Sequence, residues 1–315
     1  MAYKISGTKN DTKRIFVINE ATNTIETQVL ISGTGYYEMN GLVAGRKLII
    51  SRKPDGESEA YGYVDPIYYY TYEPGNRGVF GGGYLAAAIN VIEYITIATA
   101  GNATDFGDLT IVRYYLAACS SSTRGVFGGG YTGADYSNVI DYITISTAGN
   151  AIDFGDLTLL RYGLVACSSS TRGVFGGGYK EPVYSNVIDY KTIATAGNAT
   201  DFGDLTLSRT YPGACSSSTR GIFGGGSSPT TNVMDYITIA TTGNAIDFGD
   251  LTLARTGAAA CSSSTRGVFG GGSPTGANVL DYITIATAGN ASDFGDLIVS
   301  RQQSAACSDG HGGLS

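Results

Sequence analysis

A unit of 46 to 48 residues occurs five times in this 315-residue chain, and this repetition restricts the possible folds more than any other feature. Each copy opens with the heptapeptide R-G-(V/I)-F-G-G-G, at Arg77, Arg124, Arg172, Arg220 and Arg266, so the steps are 47, 48, 48 and 46 residues. A period in the forties with glycine-rich turns is typical of β-propeller blades, because one blade cannot bury its own apolar face. The repeats therefore predict stacked or radially arranged β-sheets.

Four short strands can be assigned in each copy. In the second copy they are "LAACS", "GVFGGG", "NVIDYITIS" and "DFGDLTLL". Along the third, Val139, Ile143 and Ile145 fall on one aliphatic face, interrupted only by Asp141, which we expect at a strand end or beside a partner. The 46 glycines, 23 tyrosines and absence of tryptophan favour turns and strands over helices. We predict an all-β protein.

Charge and hydropathy patterns exclude several classes of partner. The net charge is −7 and no Lys/Arg cluster occurs, so a nucleic-acid partner is not expected. The first residues lack the apolar segment of a signal peptide, and no run of about 18 apolar residues occurs, so we expect a soluble protein without membrane insertion.

The cysteines occur once per copy at the same place, which is unlike a disulfide framework. Equivalent positions in neighbouring units would lie too far apart for the Cα separation of about 4.4–6.8 Å that a disulfide needs. We predict buried thiols; a ring of thiols around a soft metal is the alternative, and we expect no metal or other cofactor. The residues are Cys119, Cys167, Cys215, Cys261 and Cys307.

The repeated sequence resembles the kelch-type β-propeller repeat from residue 67 to the end. The two patterns share a glycine triplet after an aromatic residue, Asn-Val-x-x-Tyr, an aromatic residue before a leucine, and an Arg before the next first strand. The tryptophan of the kelch pattern is replaced by phenylalanine. These residues are Phe106, Phe154, Phe202, Phe248 and Phe294.

The end of the chain predicts how such a propeller closes. "SAACSDGHGGL" (residues 304–314) repeats the first strand of a unit. We expect residues 305–308 to pair beside residues 78–82, giving a five-bladed ring without exposed sheet edges. Residues 67–72 are the alternative occupant of this place, or belong to the domain junction.

Residues 1–66 do not share the period and predict a separate domain. "YKISG", "RIFVINE", "TIETQVLIS", "GYYEM", "KLIISRK" and "AYGYV" indicate six short strands, enough for a small β-sandwich. The stretch "GTGYYEMNGLVAGRKLIISRKPDGE" resembles transthyretin-like and carboxypeptidase-regulatory-like sandwiches.

The combination of this domain with units such as "RGVFGGG", "NVIDYITI" and "DFGDLT" resembles virion structural proteins of tailed phages of marine and cyanobacterial hosts. The resemblance implies a fibre, whisker or decoration protein, assembled in the host cytoplasm and located in the virion. It also implies a homo-oligomer that binds other virion proteins through residues 1–66.

The copies differ mainly in the loops after the second and fourth strands, which leave a blade on the same face. We interpret this face as a ligand-contact face for a host-surface glycan, because tyrosines collect there and tyrosine favours binding surfaces. Loops that drift because nothing constrains them are the alternative. The tyrosines are Tyr84, Tyr114, Tyr115, Tyr131, Tyr136, Tyr162, Tyr179, Tyr184 and Tyr211.

The opposite face carries repeated charges, which we interpret as structural ion pairs between blades. A calcium site at the aspartates is the alternative, although two carboxylates per unit supply few of the six to eight oxygens that calcium takes. The arginines are Arg124, Arg172, Arg220 and Arg266, and the aspartates are Asp105, Asp153, Asp201, Asp247 and Asp293.

Catalysis has little support in the sequence, and we expect no enzyme. The single histidine, His311, lies in the glycine-rich tail. A Ser-His-Asp triad would have to use this residue, and a zinc site would lack imidazole ligands. Paired carboxylates keep a glycoside hydrolase as a remote alternative. The main hypotheses are therefore a virion structural protein that displays the propeller, or a lectin-like propeller without a virion.

Overall fold

The computed structural model describes the main chain of six strands between residues 2 and 64, and main chain and side chains of residues 77–274 and 278–306. Contacts divide the chain into two units, residues 1–73 and 74–315. The domain boundary predicted from the sequence is at residue 66.

The first unit contains two antiparallel sheets at the places where six strands are predicted. The four-stranded sheet has the order β3-β2-β5-β6, and β1 pairs with β4. The strands are β1 (Ala2–Tyr3), β2 (Lys13–Asn19), β3 (Thr24–Ile31), β4 (Tyr37–Glu38), β5 (Lys47–Arg52) and β6 (Ser58–Val64).

The described residues of the second unit form five antiparallel sheets, one per repeat, and one two-stranded ribbon, and they contain no helix. The prediction of an all-β protein is confirmed. Sheet 1 has three strands and sheets 2 to 5 have four strands each, which follow one another in chain order. Within a sheet, each strand pairs with the strand that precedes or follows it in the chain, apart from a two-stranded ribbon inserted in the third repeat.

The first two sheets comprise β7 (Arg77–Leu85), β8 (Ala87–Thr96) and β9 (Thr104–Asp108), then β10 (Ala117–Ser120), β11 (Arg124–Gly128), β12 (Val139–Thr144) and β13 (Ile152–Asp156). Next along the chain are β14 (Val165–Ser168), β15 (Arg172–Gly176), β16 (Tyr179–Lys180), β17 (Val183–Tyr184), β18 (Val187–Thr192) and β19 (Thr200–Asp204). Of these, β16 and β17 form a separate ribbon and the other four form sheet 3. Sheets 4 and 5 comprise β20 (Gly213–Ser216), β21 (Arg220–Gly224), β22 (Val233–Thr238), β23 (Ile246–Asp250), β24 (Ala259–Ser262), β25 (Arg266–Gly270), β26 (Val279–Thr284) and β27 (Ser292–Asp296).

Successive sheets pack through the phenylalanine of the heptapeptide. The ring of Phe175 in sheet 3 lies on Gly128 in sheet 2, where an added Cβ would be 2.7 Å from ring atom Cε1. Glycine is required there because any side chain would occupy the place of the ring. The contact recurs at Gly81, Gly176 and Gly224. Each apolar core therefore lies between two neighbouring sheets, as in the cluster that contains both Phe154 and Phe175.

The loops that hardly vary between copies bond to the preceding sheet. The Gly149 amide donates to the Phe106 carbonyl at 2.7 Å, and the Asp108 amide donates to Asn150 Oδ1 at 3.1 Å. A Cβ on Gly107 would lie 2.6 Å from the Gly149 carbonyl. The T-A-G-N loop and the glycine of D-F-G-D are constant because together they form this close approach between sheets.

The five sheets form a stack whose two ends are open within the described residues. Phe80 in sheet 1 is 60% exposed, whereas its equivalent Phe127 is 5% exposed. Phe294 in sheet 5 is 52% exposed, whereas its equivalent Phe248 is 2% exposed. The expected closing strand is not found in the part of it that the structure describes, because residues 304–306 belong to no strand. Residues 307 and 308, Cys307 among them, lie outside the described residues.

Candidate functional site

The candidate site is a cluster of tyrosines on the connectors between sheets and on the loops after each second strand. A connector and the neighbouring loop pair through their main chains. The Tyr114 amide donates to the Tyr131 carbonyl at 3.0 Å, and the Tyr131 amide donates back to Tyr114 at 2.8 Å. Tyr162 and Tyr179 form the same bridge one sheet further on. The stack of sheets thus fixes where each ring leaves the main chain.

All nine tyrosines predicted to share a face form one network of ring contacts. The distances between neighbouring ring centroids run from 4.6 Å, for Tyr179 and Tyr184, to 6.5 Å, for Tyr136 and Tyr179. Tyr162 lies at the centre and its ring is stacked on Tyr136 at an interplanar angle of 10°. The remaining contacts join Tyr84, Tyr114, Tyr115, Tyr131 and Tyr211 to the same network.

The cluster is a surface and is only partly covered. Tyr84 is 62% exposed, Tyr115 is 44% exposed and Tyr184 is 37% exposed. The other six rings are half-buried among their neighbours. In sheets 4 and 5 the bridge positions are Thr210 with Ser227 and Thr256 with Ser273, so the aromatic surface covers the first part of the stack only.

Four tyrosines of the cluster have pKa values raised above the ordinary value. Burial raises the pKa of Tyr211, and the neighbouring Tyr162 and Tyr115 add to this effect. Burial likewise raises the pKa of Tyr162, and Tyr114 and Tyr179 shift in the same direction. These four tyrosines therefore keep their protons, and their hydroxyl groups both donate and accept hydrogen bonds.

A groove of about 360 Å³ borders the cluster beside the ribbon of β16 and β17. Leu159, Leu160 and Val183 form its apolar part, and Lys180 and Glu181 supply charged side chains at its edge. The third copy alone has this ribbon among the described residues, because its loop "YKEPVY" pairs with itself. The site is therefore asymmetric, although the scaffold repeats.

The arginines of the heptapeptide join sheets in a different way from the one predicted. Arg124 donates to the Ile193 carbonyl of the next sheet at 2.8 Å, and its guanidinium lies 4.5 Å from the centre of the Tyr142 ring. Arg172 and Arg220 make the same contact with carbonyls of the following sheets, and Arg266 lies over Tyr282. Within residues 77–274 and 278–306, none of these arginines forms an ion pair with the predicted aspartates.

Those aspartates bind their own strand instead. The Asp153 carboxylate accepts the Gly155 amide at 2.9 Å, and Asp105, Asp201, Asp247 and Asp293 accept the amide two residues on in the same way. A short carboxylate that bonds to the main chain two residues ahead holds the bend before the glycine. The predicted ion pairs are wrong because both partners bind the main chain.

In sheets 2 to 5, the buried ion pairs join the aspartate of the third strand to the arginine of the preceding connector, a pairing that the sequence did not predict. The Arg113 Nη2 atom lies 2.6 Å from Asp141 Oδ2, and both side chains are completely buried. The same pairing recurs in Arg161–Asp189, Arg209–Asp235 and Arg255–Asp281. One signal for these pairs was present, because Asp141 interrupts the aliphatic face of its strand. A carboxylate at such a place needs a buried partner.

The cysteines line the contacts between the first strands of neighbouring sheets. Cys167 and Cys215 are buried, and Cys119 and Cys261 are half-buried. A Cβ on Gly173 would lie 2.6 Å from the Cys119 sulfur, so the thiol fills the space that this glycine leaves. Burial raises the pKa of the Cys167 thiol to about 12. Thiols in this state are inert packing groups.

Within residues 77–274 and 278–306, no group of three or more His, Cys, Asp or Glu side chains is arranged to hold a metal ion. No helix among the described residues has the length and apolarity needed to cross a membrane.

Comparison with protein-family models and with curated protein sequences gives no match for this chain. The kelch-like and phage-like resemblances of the sequence therefore stay predictions.

Proposed function

We propose that this chain is a non-enzymatic structural protein of a tailed-phage virion that presents the tyrosine cluster to a glycan of the host surface. The observation that carries the proposal is the contiguity of nine tyrosine rings from residues 84 to 211 on one half-exposed surface. Tyrosine gives a large contact area at a low cost in side-chain entropy. Loops held on a stiff scaffold are the usual place for binding residues.

A glycan fits the chemistry of this surface. The C–H face of a pyranose ring is apolar and packs on an aromatic ring, while its hydroxyl groups exchange hydrogen bonds with tyrosine hydroxyls. The surface is built from tyrosines and not from a cluster of Lys and Arg, so it offers little attraction for a polyanion such as a nucleic acid. The adjoining groove adds Lys180, Glu181 and Asn186 as polar groups that could select one sugar.

A glycan array tests the binding part of the proposal. The purified chain should give saturable signals, and the Tyr131→Ala/Tyr136→Ala/Tyr179→Ala/Tyr184→Ala variant should lose them. The matched control is Ser227→Ala/Ser273→Ala, at the bridge positions of sheets 4 and 5 that lack tyrosine. Equal and negligible signals for wild type and variant would remove glycan binding.

The virion location rests on the combination of a small β unit with five repeats, and it needs its own test. Mass spectrometry of purified particles should detect the chain, and crosslinking should connect residues 1–66 to other virion proteins or to further copies. Absence of the chain from particles would refute the virion assignment. Glycan binding by the purified chain would then indicate a lectin-like protein without a virion.

Closure of the five sheets into a ring is part of the proposal, supported by matching groups at the two ends of the stack. In sheets 2 to 5, the buried aspartate of the third strand binds the arginine of the preceding connector. Glu93, at the aspartate position of sheet 1, and Arg301, the last such arginine, are both exposed. Contact between sheets 5 and 1 would bring these charges together and cover Phe80 and Phe294.

A further inference from the structure

One position in each connector has left-handed backbone geometry. It is the second residue after the connector arginine, which is buried in the first four copies, and its φ angle lies between 52° and 65° in all five copies. The residues at this position are Tyr115, Gly163, Tyr211, Gly257 and Gln303. Glycine adopts this geometry without strain, whereas a bulky residue with positive φ is an outlier.

The stack imposes this geometry whatever the side chain. From Gly163 onward, the amide of each of these residues donates to the carbonyl of its equivalent one sheet earlier: Gly163 to Tyr115 at 3.0 Å, and Tyr211 to Gly163 at 2.7 Å. Gly257 and Gln303 continue the same ladder at 2.9 and 3.0 Å. The chain therefore places tyrosine twice where the main chain favours glycine, and glycine at the two equivalent positions shows that the fold does not need the ring.

The two tyrosines converge over the glycine between them. A Cβ on Gly163 would lie 2.3 Å from Thr210 Oγ1 and 3.0 Å from Tyr211 Cε1, so the absence of a side chain makes room for the ring of Tyr211. The Tyr115 and Tyr211 ring centroids are 5.5 Å apart, and Tyr162 lies 5.6 Å from Tyr115 and 6.1 Å from Tyr211. Three rings thus meet over one glycine at the centre of the cluster.

We infer that Tyr115 and Tyr211 are the central ligand-contacting residues, held in strained backbone because their rings and Tyr162 form a platform for the apolar face of a neutral pyranose. Strained residues that a surrounding structure over-determines are found mainly at functional sites. The inference rests on the proposed glycan binding and adds the residues at its centre and the class of sugar.

Neutrality of the sugar follows from the charges on the connectors. The arginines next to this platform, Arg113, Arg161 and Arg209, are buried and paired with aspartates, so they are unavailable to a carboxylated sugar. Burial raises the pKa of Tyr162 and Tyr211, so both keep their protons and can donate to sugar hydroxyls.

The test replaces each strained tyrosine by the residue that the chain itself uses at the equivalent positions. Tyr115→Gly and Tyr211→Gly should weaken binding of the strongest neutral oligosaccharide from the array by at least about tenfold each. Relief of backbone strain offsets lost ring packing, so the melting temperature should change by less than about 3 °C. The chain contains no tryptophan, so tyrosine fluorescence reports binding directly.

Gln303→Gly is the matched control, because it makes the same backbone change away from the tyrosines and should leave binding unchanged. If wild type binds and both tyrosine variants bind equally well, the platform is wrong and the proposed function stands. A fall in melting temperature above about 6 °C would assign the two rings a packing role instead. Preference for sialylated glycans would overturn the neutral class, and no binding by wild type would overturn both proposals.

Discussion

At the scale of single residues, the buried ion pairs are the feature with the largest desolvation cost. Arg161 Nη2 and Asp189 Oδ2 lie 2.8 Å apart with both side chains buried; Arg161 lies on the connector from sheet 2 and Asp189 in sheet 3. The guanidinium also donates to the Val187 carbonyl at 2.8 Å, and the carboxylate accepts the Thr158 hydroxyl at 2.6 Å. These extra bonds offset the cost of taking two charges out of water. They also fix one sheet relative to the next.

Removing one partner of this pair should cost far more than removing an exposed carboxylate. Asp189→Ala leaves the Arg161 charge buried and uncompensated, so the free energy of unfolding should fall by about 3–5 kcal/mol. Asp153→Ala removes a repeated but exposed aspartate with one main-chain hydrogen bond and should cost about 0.5–1.5 kcal/mol. Urea denaturation of both variants measures the difference. An equal loss in the free energy of unfolding for both variants would show that the buried ion pair of Asp189 contributes no more than an exposed hydrogen bond.

The buried thiols predict how stability depends on alkaline pH. Burial raises the pKa of Cys167 to about 12, and a thiol in the unfolded chain ionises at about 8.5. A raised folded pKa gives stability that is complete below the unfolded pKa and is lost as the pH rises toward the folded one. The free energy of unfolding should therefore decline between about pH 9 and 12, by about 1.4 kcal/mol per pH unit for each such thiol.

Urea denaturation at pH 8 and pH 10.5 measures this decline, and the Cys167→Ala variant should show a shallower one than wild type. The comparison isolates the thiol, because the tyrosines with raised pKa values act in the same direction in both proteins. Parallel pH profiles for wild type and variant would contradict burial of an un-ionised thiol.

The choice between the two repeated aspartates shows what the sequence could resolve at this scale. A carboxylate occurs at the positions of both Asp141 and Asp153 in every copy, with Glu93 in place of the first aspartate, so repetition alone could not tell which carboxylate is buried. The phase of the third strand could have decided it, because Asp141 lies on the aliphatic face. Its pairing with Arg113 was not predictable, because Arg113 belongs to the preceding copy and no pattern within one unit relates the two residues.

At the scale of elements, the contact between the phenylalanine of one sheet and a glycine of the preceding sheet sets how closely sheets pack. Gly176→Ala should place a methyl group 2.8 Å from Phe223 Cε1 in a fully buried contact. Overpacking of this kind costs about 1–3 kcal/mol, which lowers the melting temperature by roughly 2–12 °C. Gly101→Ala is the control, because nothing lies within 4 Å of the added carbon. Thermal unfolding with no difference between the two variants would contradict the packing.

The strands themselves were largely predictable, and their deviations have physical causes. The second and third strands follow the expected segments, because the alternation of apolar and polar residues and the glycines at strand ends are local signals. The fourth was expected over residues 153–160, whereas β13 ends at Asp156. The Thr158 amide and hydroxyl both donate to the Asp189 carboxylate of the next sheet, so these tertiary bonds draw the chain out of its own sheet.

The tyrosine face was also predictable at this scale, because loops after even-numbered strands leave a blade on one side. Ring contacts connect all nine residues that this reasoning selected. The left-handed backbone of Tyr115 and Tyr211 was not predictable, because the hydrogen-bond ladder that imposes it runs between copies.

At the scale of the whole molecule, the ends of the stack carry unlike charges on matching positions. Glu93 and Arg301 are exposed, while their equivalents in the interior are buried in ion pairs. Ring closure would convert two exposed charges into one buried pair. An open stack would leave both in water, where each contributes little to stability.

Charge reversal distinguishes the closed ring from the open stack. If the ring closes, Glu93→Arg and Arg301→Glu should each lower the melting temperature by roughly 6 °C or more, and the double variant should recover most of the loss. Light scattering should give the mass of one chain throughout. Exposed residues of an open stack would change stability by less than about 0.5 kcal/mol, so unchanged melting temperatures would refute closure.

Masses that rise with concentration would place the same contact between copies instead. Head-to-tail contacts that do not close generate filaments, since each added copy presents the same free end again. Mixing the two single variants would then restore assembly, because the arginine at position 93 of one copy meets the glutamate at position 301 of another. A ring closed within each chain predicts no such rescue, since each single variant keeps its like charges on its own two ends.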